Sequence, residues 1–188
     1  MESGNSEHSG YVINKTRLEF VVDGIFAIAM TLLVLELKIP DLDNRDSVHE
    51  LLNALVNHFP TFASYLLSFL VLGMLWYRNN SYYRHFLFIS KGMLVSQLLQ
   101  LSVAAFFPFA ASLMGRYPTN ELSFLIYVGC ITVYLWSSFI NWVWAKHVGA
   151  IDTQLSRQKY VRHRNRQLIG SIIFSLLFAI YLVTLSAN

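Results

Sequence analysis

Charge is what this sequence has least of. Only 13% of its 188 residues are Asp, Glu, Lys or Arg, roughly half of what a water-soluble domain carries. Cysteine is nearly missing too: Cys130 stands alone in an apolar run, which rules out a disulfide framework and leaves the redox compartment unreadable. The histidines, His8, His49, His58, His85, His147 and His163, are scattered, and no zinc signature, P-loop or nucleotide fingerprint occurs. No metal or cofactor is therefore expected. An intramembrane enzyme is disfavoured for the same reason, because only isolated Ser, Thr and Asp residues stand in the apolar runs. The opening stretch MESGNSEHSGYVINK has no short apolar core before a small-residue cleavage site. No signal peptide is expected, and the first span is expected to direct its own insertion.

What the chain has in abundance is apolar sequence. Hydrophobic residues make up 55% of it, and they come in blocks long enough to cross a bilayer, about 20 residues each. Five spans stand out, at 18–38, 59–77, 92–114, 121–145 and 168–186. The expected fold is an all-α polytopic transmembrane helix bundle forming one domain over 1–188, without internal repeat or soluble domain. Between the first two spans, DLDNRDSVHELLNALVNHF places Asp46 or Ser47 to cap a short amphipathic helix. Trp76, Trp136, Trp142 and Trp144, near span ends, are expected as interfacial anchors. Asn141 is expected to hydrogen-bond across helices.

Basic residues fall on alternate sides. Lys15, Arg17, Arg78, Arg84, Lys91, Lys146, Arg157, Lys159, Arg162, Arg164 and Arg166 flank one side, and only Lys38, Arg45 and Arg116 the other, beside Asp41, Asp43, Asp46, Glu50 and Glu121. The positive-inside rule puts the N-terminus in the cytoplasm. The basic stretch RQKYVRHRNRQ is then a topology determinant that meets anionic headgroups, and no nucleic-acid partner is expected.

The first span carries acids where a span should not. In TRLEFVVDGIFAIAMTLLVLELKIP, Arg17, Glu19 and Asp23 stand near one end and Glu36 with Lys38 at the other. At about 100° per residue, Gly24, Ile28, Thr31, Leu32 and Leu35 form one stripe, and Asp23 falls about 140° from Ile28. A carboxylate at that depth persists when paired or hydrogen-bonded, so Asp23 is expected to find partners on neighbouring spans or to reach the cytoplasmic interface. Periodicity by itself leaves the stripe open between ordinary packing, a lipid-facing surface and a pore lining.

The stretch RLEFVVDGIFAIAMTLLVLEL resembles the first helix of the transmembrane protein 175 family, the lysosomal-type potassium channels and their short bacterial forms. Arg17 and Asp23 keep the family's separation, while Val21 and Val22 stand where Phe and Ser are typical. LGMLWYRNNSYYRHF is similar to the family's second-span ending, with Trp76 in place and Asn79 and Asn80 where paired His residues are typical. LLQLSVAAFFPFAASLMG and ELSFLIYVGCITVYLWSSFINWVWAKH are similar to the third and fourth spans, so the likeness covers essentially the whole chain.

The resemblance implies a homotetramer in a bacterial inner membrane. Each subunit would have six spans, with the first helices around a central pore and no re-entrant filter. Ile28 would be the narrow hydrophobic constriction, with Leu32 and Leu35 as further apolar layers. Thr31 would form a hydroxyl ring shaping potassium preference and Glu36 would sit at the outer mouth. Arg17, Asp23, Trp76 and Asn79 would form the motif's structural network. Potassium would be the permeant ion, only weakly preferred over sodium. Two alternatives remain beside this one: an ion-coupled secondary transporter, and a non-transporting membrane scaffold.

Overall fold

The computed structural model describes residues 14–38, 42, 44 and 46–187. The N-terminal stretch, Asp41, Asp43 and Arg45 of the charge pattern, and His8 lie outside the described residues. Six α-helices follow one another: α1 Lys15–Leu32, continued by a 3-10 turn Leu33–Glu36, α2 Val48–Asn57, α3 Phe59–Tyr83, α4 Lys91–Arg116, α5 Glu121–His147 and α6 Arg157–Ala187. Five of them, all but α2, are long and apolar enough to cross a membrane. The protein is an all-α polytopic membrane protein.

Short polar residues start the helices. The side chains of Asn14, Ser47, Ser90 and Asn120 each accept a hydrogen bond from a backbone N–H of the first turn, satisfying donors that have no intrahelical partner. Ser47, rather than Asp46, caps the amphipathic helix. At the end of α5, Gly149 adopts a φ of +71°. Its N–H donates to Lys146 O, and that of Ala150 to Ala145 O. A left-handed residue closes a helix this way at little cost only when it lacks a Cβ. The released strand then joins the α3–α4 loop, with Leu87 N donating to Ala150 O and Asp152 N to His85 O.

The helices differ from expectation at one end of the molecule. The basic stretch expected as a connection is helical from Arg157 onward, started by Ser156 Oγ, which accepts from Lys159 N. Its Gln, Lys and Arg residues are good helix formers, so α6 extends about three turns beyond its apolar part.

Two apolar clusters hold the bundle. One joins Val22, Phe26, Ala29 and Leu33 of α1 to α3, α4 and α5 through Leu72, Phe107, Ile131 and Tyr134. The other, at the basic end, gathers Leu18, Tyr82, Phe86, Met93, Trp142 and Tyr160. Trp142 is fully buried there, stacked on Tyr160 with ring centroids 5.6 Å apart, and is not an interfacial anchor. Trp136 likewise turns inward, its Nε1 donating to Ser175 Oγ of α6 at 2.8 Å. A tryptophan near a span end is equally able to bury its ring when a neighbouring helix supplies an acceptor or a flat face. Serines stitch the helices together: Ser64 Oγ donates to Ala111 O, and Ser68 Oγ to Tyr127 OH. Small residues allow this closeness, as in α3 and α4, where Thr61 Oγ1 donates to Gly115 O.

Candidate functional site

The first helix has one buried side and one exposed side. Leu18, Val22, Phe26, Ala29 and Leu33 are buried against the bundle. Val21, Gly24, Ile28, Thr31, Leu32 and Leu35 are exposed, Ile28 to 59% and Leu35 to 70%. The division is regular. At about 100° per residue the buried set occupies an arc of about 80° and the exposed set faces away from it. Apart from its chain neighbours and its own helix backbone, nothing among the described residues comes within 4 Å of where a Cβ on Gly24 would stand. The helix tightens to 3-10 geometry at Leu33, where side chains three apart eclipse, so Leu35 stays in line with Leu32.

The stripe is apolar apart from Thr31. The Thr31 hydroxyl donates to Ile28 O at 2.8 Å, within its own helix. Its proton is thereby used inward, and the oxygen's lone pairs are left free toward the open side.

Polar groups frame the stripe at both ends. At the basic end Trp76 Nε1 of α3 donates to Asp23 Oδ1 at 2.8 Å. The expected partner on a neighbouring span is thus present, and the Asp23 side chain is nonetheless exposed on the subunit. A pocket of about 260 Å³ opens beside it, lined by Thr16, Glu19, Asp23, Asn80 and Tyr83 among others. Arg17 is exposed and reaches no partner among the described residues. Asn79 does not serve Asp23. It is buried, and its Nδ2 donates toward Gln97 Oε1, Gln100 Oε1 and Tyr134 OH, which draws it to α4 and α5. Val22, at the position typical of a serine, fills the apolar cluster and needs no hydrogen bond there.

At the other end Glu36, expected at the outer mouth, has partners within the subunit. Glu36 accepts a hydrogen bond from Ser112 Oγ and pairs with Arg116 Nη2 at 3.6 Å, both on α4. Through these contacts Glu36 ties the turn that follows α1 to α4. The sequence signal for this tie is Arg116 itself, a lone cation at the sparsely basic end of α4.

The Trp76–Asp23 bond gives a direct test. Trp76→Phe keeps an aromatic ring at the position and removes the donor. Its expected cost is about 1 kcal/mol, at the low end for a bond to a carboxylate because the site is exposed. The measurement is the thermal midpoint of the purified protein, and an unchanged midpoint would show that the bond contributes nothing.

Known proteins resemble this chain. A family model described as endosomal/lysosomal potassium channel TMEM175 matches residues 17–108, which include the whole stripe, Asp23 and Trp76. A potassium channel of Chamaesiphon minutus is 31% identical over 157 residues, covering 78% of this chain and 71% of that protein. A potassium channel of Streptomyces collinus is 33% identical over 101 residues, covering 54% of this chain and 48% of its own length, so the chain spans about half of that relative. The crystal structure of a lysosomal potassium-selective channel TMEM175 homolog from Chamaesiphon minutus superposes with a TM-score of 0.79. The superposition covers 90% of this chain and 87% of that one at 23% identity, a likeness of fold.

Proposed function

Because the chain belongs to the endosomal/lysosomal potassium channel TMEM175 family, we propose that it is a potassium-permeable cation channel whose pore is lined by the exposed face of α1. The family is one of channels rather than enzymes. The observation that carries the reading is the division of α1 itself. One face is packed into the bundle, and the other is a continuous apolar stripe with a single hydroxyl, left uncovered by its own chain. Four copies assembled about that stripe would place Ile28, Leu32 and Leu35 in successive apolar rings and Thr31 in a ring of oxygens.

The physics of such a device is simple. An apolar ring that narrows to the width of a few waters dewets and blocks conduction, and a slight widening restores it. Thr31 oxygens, with their protons already donated inward, replace part of a cation's hydration shell. Potassium gives up its water more cheaply than sodium, so the preference is for potassium, and without a carbonyl-lined filter it is modest. The basic flank of Lys15, Arg84, Lys146 and the start of α6 lies in the cytoplasm by the positive-inside rule, in a bacterial inner membrane.

An ion-coupled transporter is less well supported. It calls for helices interrupted near the midplane, whereas α4 runs unbroken through Pro108. A scaffold without transport remains the outcome if no flux is found.

The test is cation flux into liposomes containing the purified protein, potassium against sodium, with subunit number measured on the same sample. Potassium-favoured flux from a tetramer is expected. Absence of flux from correctly assembled protein, over several potentials, would move the assignment to a scaffold. In the same assay Thr31→Val, which keeps the shape and deletes the oxygen, is expected to reduce the potassium-to-sodium preference toward one with conduction retained. An unchanged ratio would remove Thr31 from the ion's path.

A further inference from the structure

A second concentration of polar chemistry lies inside the subunit, away from the α1 stripe. Nine buried side-chain nitrogen and oxygen atoms lack a hydrogen-bond partner among the described residues. Seven of the nine sit on six residues around one small cavity: Asn79 Oδ1, Tyr82 OH, Gln97 Nε2, Asn141 Oδ1, Trp142 Nε1 and both polar atoms of Gln167. Every one of these residues is more than nine-tenths buried. They come from α3, α4, α5 and α6, so all four helices meet at this point. The interhelical bond expected of Asn141 is not made to a side chain among the described residues: its Oδ1 is left without a partner, and the residue lines the cavity.

The direct network explains why these ends are left over. Asn79 spends its Nδ2 on Gln97 Oε1, Gln100 Oε1 and Tyr134 OH, leaving its own oxygen and the Gln97 nitrogen unmatched. Unpaired buried polar atoms are costly, and seven at one place, five of them on amides, call for a shared ligand. The space among them is about 10 Å³, the room for one water.

We propose that this cavity is a water site, in which one tightly held molecule joins the four helices at the basic end. The atoms decide the class of ligand. A dehydrated cation needs oxygens only, but Gln97, Trp142 and Gln167 present N–H donors. An anion needs donors only, but Asn79, Asn141 and Gln167 present carbonyl oxygens, and no charged group lines the cavity. Water both donates and accepts, and makes two to four such bonds.

The sign of one substitution tests this. Gln167 has no side-chain hydrogen bond among the described residues, and Gln167→Met is close to it in volume and helix propensity. In a dry cavity the change deletes two unpaired polar atoms and raises the thermal midpoint. In a hydrated one it strips partners from the bound water, and the midpoint falls, by about 3 °C or more for a chain of this size. The second measurement is a high-resolution structure of the unmodified oligomer in rubidium and bromide salts. Water-sized density within about 3 Å of at least two of the seven atoms is expected. A raised or unchanged midpoint, side chains closed on one another, or an anomalous rubidium or bromide peak in the cavity would overturn the proposal. If Gln167→Met does not assemble, the density of the unmodified protein decides alone. None of these readouts depends on conduction.

Discussion

Replacing Ile28 by Asn is expected to raise potassium flux into liposomes by about tenfold or more, with the thermal midpoint nearly unchanged. Ile28 is exposed on the chain and contributes to neither apolar cluster, so its loss leaves no cavity in the subunit. In a symmetric pore one substitution alters four side chains of the ring together. A tenfold rise corresponds to a barrier lower by about 1.4 kcal/mol, or about 0.35 kcal/mol from each subunit, a small change for a wall made wettable. The potassium preference is expected to persist in part, because the Thr31 oxygens remain. The competing location makes the opposite demand. If Ile28 faced lipid, an amide there would be an unsatisfied polar group in hydrocarbon. Stability or assembly would then fall while flux stayed where it was. Stopped-flow or electrode measurement of flux, alongside a melting curve on the same preparation, separates the two.

Much of this architecture was legible in the amino-acid order. Apolar blocks bounded by Pro60, Lys91, Asn120 and basic residues mark the spans, because a bilayer tolerates no unpaired backbone and only a helix of sufficient length satisfies it. Asp46 or Ser47 marks a helix start through a local mechanism that needs no tertiary information. The stripe on α1 was legible as a face, since 3.6-residue periodicity is a local property, but its exposure was not, because which side meets α3 and α4 depends on residues far along the chain. The same limit explains Trp142 and Asn79. Position near a span end suggests an interface and a motif position suggests Asp23, yet Tyr160 and Gln97 supply better partners from other helices. The approach of His85 and His163, with ring centroids 5.4 Å apart, was invisible for that reason as well. Glu36 shows a subtler case: its charge is plain in the sequence, while its pairing depends on Arg116, three helices further along the chain.

Two residues before Ile28, a substitution should do the reverse. Phe26→Ala is expected to destabilise the subunit and leave ion preference in the surviving channels intact. Phe26 is completely buried, with its ring edge-on to Tyr134 at 6.2 Å between centroids. Tyr134 in turn donates to Leu75 O and accepts from Asn79 Nδ2, so the ring of Phe26 helps hold the side chain that joins α5 to α3. In a water-soluble core such a truncation costs about 3–5 kcal/mol, from lost transfer and from the cavity together. Within a membrane the transfer contribution largely vanishes, since lipid is as apolar as Phe. What is left is lost dispersion contact, about 2 kcal/mol, or half of the water-soluble figure. The measurement is the thermal midpoint and the fraction of assembled oligomer in detergent, followed by flux normalised to that fraction. A lower midpoint with an unchanged potassium-to-sodium ratio assigns the Phe26 face to mounting the helix and the Ile28 face to conduction. A changed ratio at normal stability would mean that α1 is rotated from the orientation described, with Phe26 and not Ile28 toward the ion.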